Sequence, residues 1–514
     1  MRYLWKLLPA FVLTAALASC GGNADPDPTP TPVAPTTVSL SSVSANVAQP
    51  EEEITLDITA PSRPEVSGAP DWVTVKLGIY DAKTFKMTGV KITVAANPTY
   101  ETRTATLTFK AGTASATFAL SQAGKEPVVV PTLPDNDAVA MARKIGLGWN
   151  MGNELEAHNN GFVDETAWTG VLATQATFDA VKAAGFTSVR IPISWLDKIG
   201  DAPDYTLSSD RLERVAEVVG YAKNAGLVTI INTHHDGADS QYWLSVLQGA
   251  DNNTITEKIK KVWMQIAERF KDEGDWLIFE SFNEIQDGGW GWSSEYQTAA
   301  GKKRQNDILN GWNQTFVDAV RTTGGNNANR WLGVPGYAAD PVRTLDDGFV
   351  VPEDPAGKIM VAVHNYTPYD FCQTAKASEW GHTRKTNLTD ESYNEDYLRA
   401  VFNRLYQKWV SKNIPVYWGE FGCVNRSAGK ARQFQLYYLE YVSKLSRCFG
   451  MGGLIWDNGA KSGNGELYGI IHHGTGEYLD ASYGPMIVNA CKKGFQSEDA
   501  SYTLDTIYDA APTP

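Results

Sequence analysis

One stretch decides the fold, and it reads Trp276-Leu277-Ile278-Phe279-Glu280-Ser281-Phe282-Asn283-Glu284. Its first four residues are apolar, and it ends in an amide and an acid. A second stretch has the same form, Ile414-Pro415-Val416-Tyr417-Trp418-Gly419-Glu420. Buried parallel strands read as continuous apolar runs, and in a closed barrel their carboxyl ends carry polar groups at one rim. We therefore expect Glu284 and Glu420 to face each other across one cleft.

The alternation of apolar strand and amphipathic helix extends from about residue 137 to residue 510. Candidate strands begin near Gly146, Ser188, Val228, Trp276, Trp331, Ile359, Pro415 and Gly453. Between them lie helical stripes, such as Phe178, Val181 and Ala184 before Gly185, and Phe434, Tyr438, Tyr441 and Leu445. Eight strand–helix units over residues 137–510 predict an α/β fold, a (β/α)8 TIM barrel with long loops.

The first residues have the composition of an export signal. Arg2 and Lys6 precede an apolar run that is too short to span a bilayer, and small residues lead up to Cys20. This pattern resembles a bacterial lipobox, which predicts a lipoprotein signal peptide at 1–19, lipidation of Cys20 and a proline-rich tether at 20–35. We expect an exported protein that a lipid alone anchors to a bacterial membrane, at the outer membrane or cell surface. Ordinary signal-peptide cleavage, with Cys20 incidental, is the alternative.

Residues 36–124 contain short β-prone runs, most of which alternate apolar and polar side chains, with turn residues between them. They predict a small antiparallel, immunoglobulin-like β-sandwich, joined to the barrel by a proline-bearing linker at 125–136. Trp72 is its single tryptophan, and one tryptophan in a sandwich is more often core than a sugar platform. We therefore favour a spacer role for this domain over sugar binding.

Composition excludes some functions. The net charge is −14 and the pI is near 5.1, with no Lys/Arg cluster, which argues against a nucleic-acid partner. Such a surface accepts a neutral polysaccharide without penalty, and 16 tryptophans supply rings that suit flat sugar faces. The five cysteines form no Cys-x-x-Cys pair, so a zinc site is not indicated. Disulfides are compatible with an exported protein, but the sequence does not pair them.

The polar residues at the predicted strand ends form an ordered series. In chain order they are Gly148-Trp149-Asn150-Met151-Gly152-Asn153, Val189-Arg190-Ile191-Pro192, Asn232-Thr233-His234-His235-Asp236-Gly237, Asn283-Glu284, His364-Asn365-Tyr366-Thr367-Pro368, Glu420 and Trp456-Asp457-Asn458-Gly459. In a (β/α)8 barrel the chemistry lies at these ends.

These motifs, together and in this order, resemble glycoside hydrolase family 5, a retaining family with acids on strands four and seven. The likeness covers residues 137–510. The residues of the motifs are similar to those of a subgroup of endo-β-1,4-glucanases that includes xyloglucanases. The sandwich, which ends Ser121-Gln122-Ala123-Gly124, resembles a BACON-type domain. The resemblance implies hydrolysis of internal bonds of a β-glucan such as xyloglucan, cellulose or mixed-linkage glucan, by double displacement.

Glycoside cleavage needs one protonated acid and one ionised carboxylate, and the resemblance places Glu284 as the acid/base and Glu420 as the nucleophile. We expect charge repulsion from Glu420 to help keep the proton on Glu284. The supporting residues implied are Arg190 and Tyr366 beside Glu420, His364 beside Glu284, Asn283 on the sugar 2-hydroxyl, Trp456 under the sugar, and Asn153, His234 and His235 as further contacts. Asn283 can reach the sugar only if the strand end bends.

Several readings stay open. Glu280 lies within its strand, where internal pairing is expected, and Asp236, Asp287 and Asp457 are loop acids. His234 and His235 suggest a metal, but neighbours on a strand point to opposite faces, so we expect no metal and no cofactor. Trp290 and Trp292 fit either product-side subsites or the core. Mannan and xylan are alternative substrates for the same site, and a non-catalytic, glycan-binding surface lipoprotein is the alternative outside the enzymes. We expect a monomer.

Overall fold

The computed structural model describes residues 32–385, 390–462 and 466–514. The chain divides into two compact units, with the boundary between Pro127 and Val128. The predicted signal peptide, Cys20 and most of the predicted tether therefore lie outside the described residues. Within the described ranges, no helix has the length and apolar content needed to cross a bilayer.

The first unit consists of two β-sheets around one apolar core. Its strands are β1 (Ser39–Leu40), β2 (Ser44–Val47), β3 (Glu52–Thr59), β4 (Glu65–Ser67), β5 (Val73–Lys76), β6 (Ile79–Asp81), β7 (Lys86–Val94), β8 (Arg103–Ala111) and β9 (Ala114–Gln122). One sheet has the order β1-β3-β7-β5, with β6 also on β7, and the other has the order β2-β9-β8-β4. Alternate residues such as Ile92, Leu107 and Phe118 fill the space between the sheets.

The all-β character of this unit is confirmed, but the expectation of purely antiparallel pairing is wrong, because β2 runs parallel to β9. The short strands β2, β4 and β6 were also not expected from the sequence. Trp72 packs against the core while Arg103 lies over its ring, 4.2 Å from the centroid. That ring face is thus covered by a guanidinium group.

The second unit alternates strands and helices. Its strands are β10 (Leu147–Asn150), β11 (His158–Asn159), β12 (Phe162–Val163), β13 (Ser188–Ile191), β14 (Val228–Ile231), β15 (Leu277–Glu280), β16 (Leu332–Pro335), β17 (Ile359–Asn365), β18 (Val416–Phe421) and β19 (Gly452–Ile455). Its helices are α1 (Asp137–Ile145), α2 (Gln175–Ala184), α3 (Ser209–Asn224), α4 (Asn252–Arg269), α5 (Ala299–Thr322), α6 (Tyr369–Cys372), α7 (Glu395–Lys408), α8 (Gly429–Cys448), α9 (Gly484–Gln496) and α10 (Leu504–Asp509).

All of these strands except β11 and β12, which pair with each other, close into one parallel barrel in chain order. This confirms the predicted (β/α)8 fold, and each strand begins within about one residue of its expected position. The first strand closes on the last, with Trp149 opposite Ile455. The sequence favours this closure because the strands are buried on both faces, as continuous apolar runs require.

Two layers of apolar side chains surround the barrel wall. Ile230, Ile278, Met360 and Leu454 belong to the cluster that fills the barrel interior. Outward-facing residues such as Phe279 pack against the helices. The predicted stripes on α2 and α8 are part of this outer layer, where Phe178, Val181, Phe434 and Tyr438 are buried.

The seventh barrel strand, β18, departs from a regular ladder. Its pairing with β17 shifts between Val363 and His364, so that His364 lies opposite Glu420. Its pairing with β19 shifts between Trp418 and Phe421. At this irregularity the carbonyl oxygen of Gly419 accepts a 2.8 Å hydrogen bond from Asn150 Nδ2 of β10. A Cβ on Gly419 would lie 3.0 Å from His364 Nε2, so a larger residue would press on that ring.

Candidate active site

The structure brings the predicted site residues together at the carboxyl end of the barrel. Arg190, His364 and Glu420 lie within their strands, Tyr366 and Trp456 directly follow β17 and β19, and Asn153, His234, Asn283 and Glu284 follow β10, β14 and β15 by three or four residues. Because Asn283 and Glu284 lie beyond the end of β15, the strict alternation of a strand does not constrain them. The bend expected at Asn283 is therefore present.

Glu284 and Glu420 face each other across a single histidine. His364 Nδ1 lies 2.6 Å from Glu284 Oε1 and 3.7 Å from Glu420 Oε2. Ligand-type atoms of the three residues all lie within 4.8 Å of one another. The two carboxylates, 136 positions apart in the sequence (420 − 284), thus come within the reach of one sugar ring.

Arg190 is the central cation of the site and is fully buried. Its Nη1 donates to Glu420 Oε1 at 2.8 Å, and its Nη2 donates to Asn283 Oδ1 at 2.7 Å. Nη2 also donates to Glu280 Oε1 at 2.7 Å. Burial alone would lower the pKa of Arg190, but the charges of Glu280 and Glu420 raise it well above its ordinary value. The guanidinium group therefore stays charged and fixes the position of Glu420.

The electrostatics of the site raise the pKa values of Glu284 and His364. Burial is the largest cause that raises the pKa of Glu284, and the charge of Glu420 adds to it, while His364 acts in the opposite direction. The expected repulsion from Glu420 is thus present but secondary to desolvation. Burial alone would lower the pKa of His364, but the charges of Glu420 and Glu284 outweigh it and raise that pKa. This environment favours retention of a proton between His364 and Glu284.

Tyr366 supplies the second hydrogen bond to Glu420. Its hydroxyl donates to Glu420 Oε2 at 2.9 Å. Burial, followed by the charge of Glu420, raises the pKa of Tyr366 well above its ordinary value, so the hydroxyl keeps its proton. Each oxygen of Glu420 therefore has one donor, Arg190 on Oε1 and Tyr366 on Oε2, and both remain able to offer a lone pair.

The expectation that His234 and His235 point to opposite faces is wrong, because β14 ends at Ile231 and neither residue belongs to a strand. Their rings are in edge contact, with centroids 4.6 Å apart. Atoms of His234, His235 and the buried Glu156 also lie within 4.8 Å of one another. Burial lowers the pKa of both histidines, that of His235 to about 3, so both rings are neutral.

The hydrogen bonds of Asn232 define the tautomer of His234. Asn232 Oδ1 accepts from the backbone of Ile193, so the amide nitrogen is the atom 3.1 Å from His234 Nδ1. His234 Nδ1 is then an acceptor, and the ring proton lies on Nε2. A protonated nitrogen cannot coordinate a metal ion, but it can donate to a hydroxyl. The geometry of this cluster therefore suits a sugar contact better than a metal.

Two further predicted residues line the same rim. Trp456 is largely buried and lies parallel to His234, with ring centroids 6.1 Å apart and planes 5° apart. Asn153 adopts a φ of +65°, and its backbone amide donates to Glu156. Asn153 thus shapes the loop after β10 through its backbone.

Glu280 is the residue whose importance the sequence underestimates. It accepts from Nε and Nη2 of Arg190, from Asn232 Nδ2 at 2.9 Å and from the Tyr417 hydroxyl at 2.6 Å. The expected internal pairing is therefore with Arg190, the residue that holds Glu420. The available signal was a charged residue four positions before Glu284 inside an otherwise apolar strand.

The three loop acids have structural partners. Asp236 accepts from the backbone of Trp195 and Leu196 and from Trp243, and Asp457 accepts from Trp149 and the backbone of Ile470 and Ile471. Asp287 accepts from Ser293, Gln305 and Tyr337. These acids hold the loops that surround the cleft.

The aromatic residues after β15 lie at the surface. Trp290 is 50% exposed and Trp292 is 80% exposed, so neither belongs to the core. His158, Trp168 and Tyr242 form another aromatic group, with His158 ring contacts to Trp168, Tyr242 and His235. Exposed rings are therefore present in the loop that follows β15.

A family model described as cellulase, glycosyl hydrolase family 5, matches residues 152–462. The chain belongs to glycoside hydrolase family 5. It is a glycoside hydrolase with endoglucanase relatives, and the model of the N-terminal BACON domain matches residues 57–123.

Three relatives illustrate the family likeness. Endoglucanase A of Paenibacillus barcinonensis is 38% identical over 345 residues, which cover 64% of this chain and 84% of that protein. The solved structure of a GH5-4 broad-specificity endoglucanase from Bacteroides salanitronis is 44% identical, with a TM-score of 0.67, and the match covers 73% of this chain and 99% of that one. A Bacteroides ovatus family 5 xyloglucanase, solved with a XXXG heptasaccharide, is 27% identical, with a TM-score of 0.61, and the match covers 90% of this chain and 100% of that one.

Proposed function

We propose that this family 5 hydrolase is a retaining endo-β-1,4-glucanase that cleaves internal bonds of a β-glucan by double displacement. The observation that carries the proposal is the approach of Glu284, His364 and Glu420 atoms to within 4.8 Å. Retaining glycosidases place their two carboxyl groups about 5–5.5 Å apart, whereas inverting enzymes need a wider gap for a water molecule.

In the first step, Glu420 attacks the anomeric carbon and forms a glycosyl ester, while Glu284 transfers its proton to the departing glycosidic oxygen. Arg190 fixes the position of Glu420 through a hydrogen bond to Oε1, and burial keeps a proton available on Glu284. In the second step, Glu284, now a carboxylate, accepts a proton from water, and that water attacks the anomeric carbon and releases Glu420. Two inversions leave the β configuration unchanged.

The supporting residues have separate parts in this scheme. Asn283, held by Arg190, is placed to bond the sugar 2-hydroxyl, and Trp456 offers a ring beneath the sugar whose bond breaks. His234, with its proton on Nε2, is placed to donate to a hydroxyl. His364 orients Glu284 and moderates its pKa.

Two measurements test the reaction. A Glu420→Ala variant is expected to fold and to lose essentially all turnover, whereas Glu268→Gln, a change at an exposed carboxylate on α4, is a matched control. In early NMR spectra of the wild-type digest, the β-anomer of the new reducing end should appear first. Near-normal rates in Glu420→Ala, or an α-anomer first, would refute the mechanism.

For the substrate, we favour xyloglucan, cellulose or mixed-linkage glucan, because relatives are named endoglucanases and a xyloglucanase. Residues at the reacting sugar do not distinguish these from mannan or xylan, since such discrimination lies in the surrounding loops. Initial rates on purified xyloglucan, carboxymethyl cellulose, mixed-linkage glucan, mannan and xylan test the preference. Faster turnover of mannan or xylan would overturn it.

We further propose that the chain is exported as a lipoprotein, anchored through Cys20, and acts as a monomer. The support for export and lipidation is the sequence pattern of residues 1–35, of which 1–31 lie outside the described residues. Metabolic labelling with a fatty acid should label the wild type and not Cys20→Ser, and light scattering of the purified chain should give the mass of one copy. Equal labelling of both proteins would contradict the anchor.

A further inference from the structure

Two buried cysteines lie on adjacent loops beside the nucleophile. Cys372 is the last residue of α6, in the segment that follows β17 and carries Tyr366, and Cys423 lies two residues after β18 and three after Glu420. Both are buried, and both thiols are free in this structure. Each thiol shifts the pKa of the other, so the two side chains are near neighbours.

Main-chain contacts hold the two loops together at this point. The backbone amide of Val424 donates to the carbonyl of Cys372 at 2.8 Å, and the Cys423 thiol lies 3.4 Å from the carbonyl oxygen of Phe371. The Tyr468 hydroxyl also donates to the Cys372 carbonyl, at 2.9 Å. These hydrogen bonds therefore hold the backbones of the two cysteines next to each other.

The surroundings of the two thiols differ. Burial alone would raise the pKa of Cys423, but the neighbouring Cys372 thiol and the nearby Arg426 lower it below its ordinary value. Arg426 Nη2 lies 3.8 Å from Cys423 Sγ, and its guanidinium group packs on Phe371. Burial raises the pKa of Cys372 well above its ordinary value. A thiolate beside a cation is the reactive form of cysteine, so Cys423 is the attacking sulfur.

We propose that Cys372 and Cys423 are a disulfide site, which closes when the chain folds in the presence of a small-molecule disulfide oxidant such as oxidised glutathione. The Cys423 thiolate attacks the oxidant, forms a mixed disulfide and releases one glutathione thiolate. The Cys372 thiol then loses its proton and attacks Cys423 Sγ, which forms the protein disulfide and releases the second glutathione. Two electrons pass from the protein sulfurs to glutathione, and each released thiolate takes up one proton.

The bond would tie the segment that positions Tyr366 to the strand end that positions Glu420. It would close a loop of 51 positions (423 − 372), and cross-links across long loops restrict the unfolded chain more than the folded one. Because the thiols already interact in the folded chain, we expect the disulfide to raise the melting temperature and to leave kcat within about two-fold. The Tyr366–Glu420 hydrogen bond does not have to move.

The other described cysteines provide matched controls. Cys491 is buried in α9, and Cys448 ends α8. Substitution of either by serine changes one thiol of the same domain without affecting the proposed pair.

The full chain is produced in an oxidising and in a reducing cell compartment, free thiols are blocked by alkylation, and peptides are mapped by mass spectrometry. The expected result is a peptide pair linked through Cys372 and Cys423 in the oxidised sample, with a melting temperature higher by a few degrees (roughly 2–4 °C) than that of the reduced sample. Cys372→Ser and Cys423→Ser should abolish both differences, and Cys448→Ser and Cys491→Ser should retain them. Alkylation of both thiols in the oxidised wild type, or a link to another cysteine, would overturn the proposal even if the serine variants fail to fold.

Discussion

Glu280 and Arg190 form a buried ion pair at the bottom of the cleft, with Arg190 Nη2 2.7 Å from Glu280 Oε1. Both side chains are almost wholly inaccessible, at 1% and 0% exposure. The same guanidinium group bonds Glu420 and Asn283. Glu280 therefore acts on Glu420 and Asn283 through Arg190, as a positioning residue.

A Glu280→Gln substitution keeps the size of the side chain and removes its charge. We expect Arg190 to shift toward Glu420, and kcat to fall about 100-fold with KM little changed, because displacement of a reacting group by about 1 Å can cost that much. Steady-state kinetics on a soluble glucan measure kcat and KM separately. Glu268→Gln on α4 is the matched control, and a change confined to KM would contradict the positioning role.

A His364→Asn substitution should change the pH profile as well as the rate. His364 lowers the pKa of Glu284, so its removal should raise that pKa further. Since Glu284 must be protonated to act as the acid, the alkaline limb of kcat/KM should move to higher pH while the maximum falls. Rates between about pH 4 and pH 10 measure the limb. A shift to lower pH would refute the stated coupling.

His473 should make stability depend on pH. Burial alone would lower its pKa, but the carboxylates of Asp457 and Glu154 beside its two ring nitrogens raise it to about 9 from 6.5. Because the folded value exceeds the unfolded one, this stabilisation is complete below about pH 6.5 and is lost as pH rises through about 9. This pKa shift corresponds to at most ~3 kcal/mol in the free energy of unfolding.

Thermal unfolding across this interval provides the measurement. In His473→Gln, the decline in melting temperature between about pH 6.5 and pH 9 should be smaller than in the wild type. His472→Gln alters the neighbouring, half-buried histidine and should keep the wild-type decline. Equal slopes in all three proteins would contradict the prediction.

Trp292, at 80% exposure, is available to a bound polymer. We expect Trp292→Ala to raise KM for polymeric glucan roughly five-fold, as ~1 kcal/mol of stacking implies, with little change in kcat or melting temperature. Met486→Ala removes an exposed apolar side chain from α9 and is the control. An unchanged KM on polymers would exclude Trp292 from substrate binding.

The sequence predicts the barrel well because each strand is an apolar run bounded by turn residues, and Glu284 and Glu420 follow from their positions at the ends of such runs. It predicts the first unit less well: β4 and β6 have three residues each, and the parallel pairing of β2 with β9 depends on segments far apart in the chain. The contact between His234 and His235 arises where the backbone leaves strand geometry, which no local alternation rule describes. The role of Glu280 depends on which residue the barrel places opposite it.

The irregular pairing at Gly419 links closure of the barrel to the support of the active site. Asn150, from the first barrel strand, donates a hydrogen bond to the carbonyl oxygen of Gly419 in the seventh strand. Asn150 also accepts from Arg190, which binds the neighbouring Glu420. Docking of the first strand against the last therefore supports the nucleophile from two sides, and a chain in which that strand is detached would lack both supports.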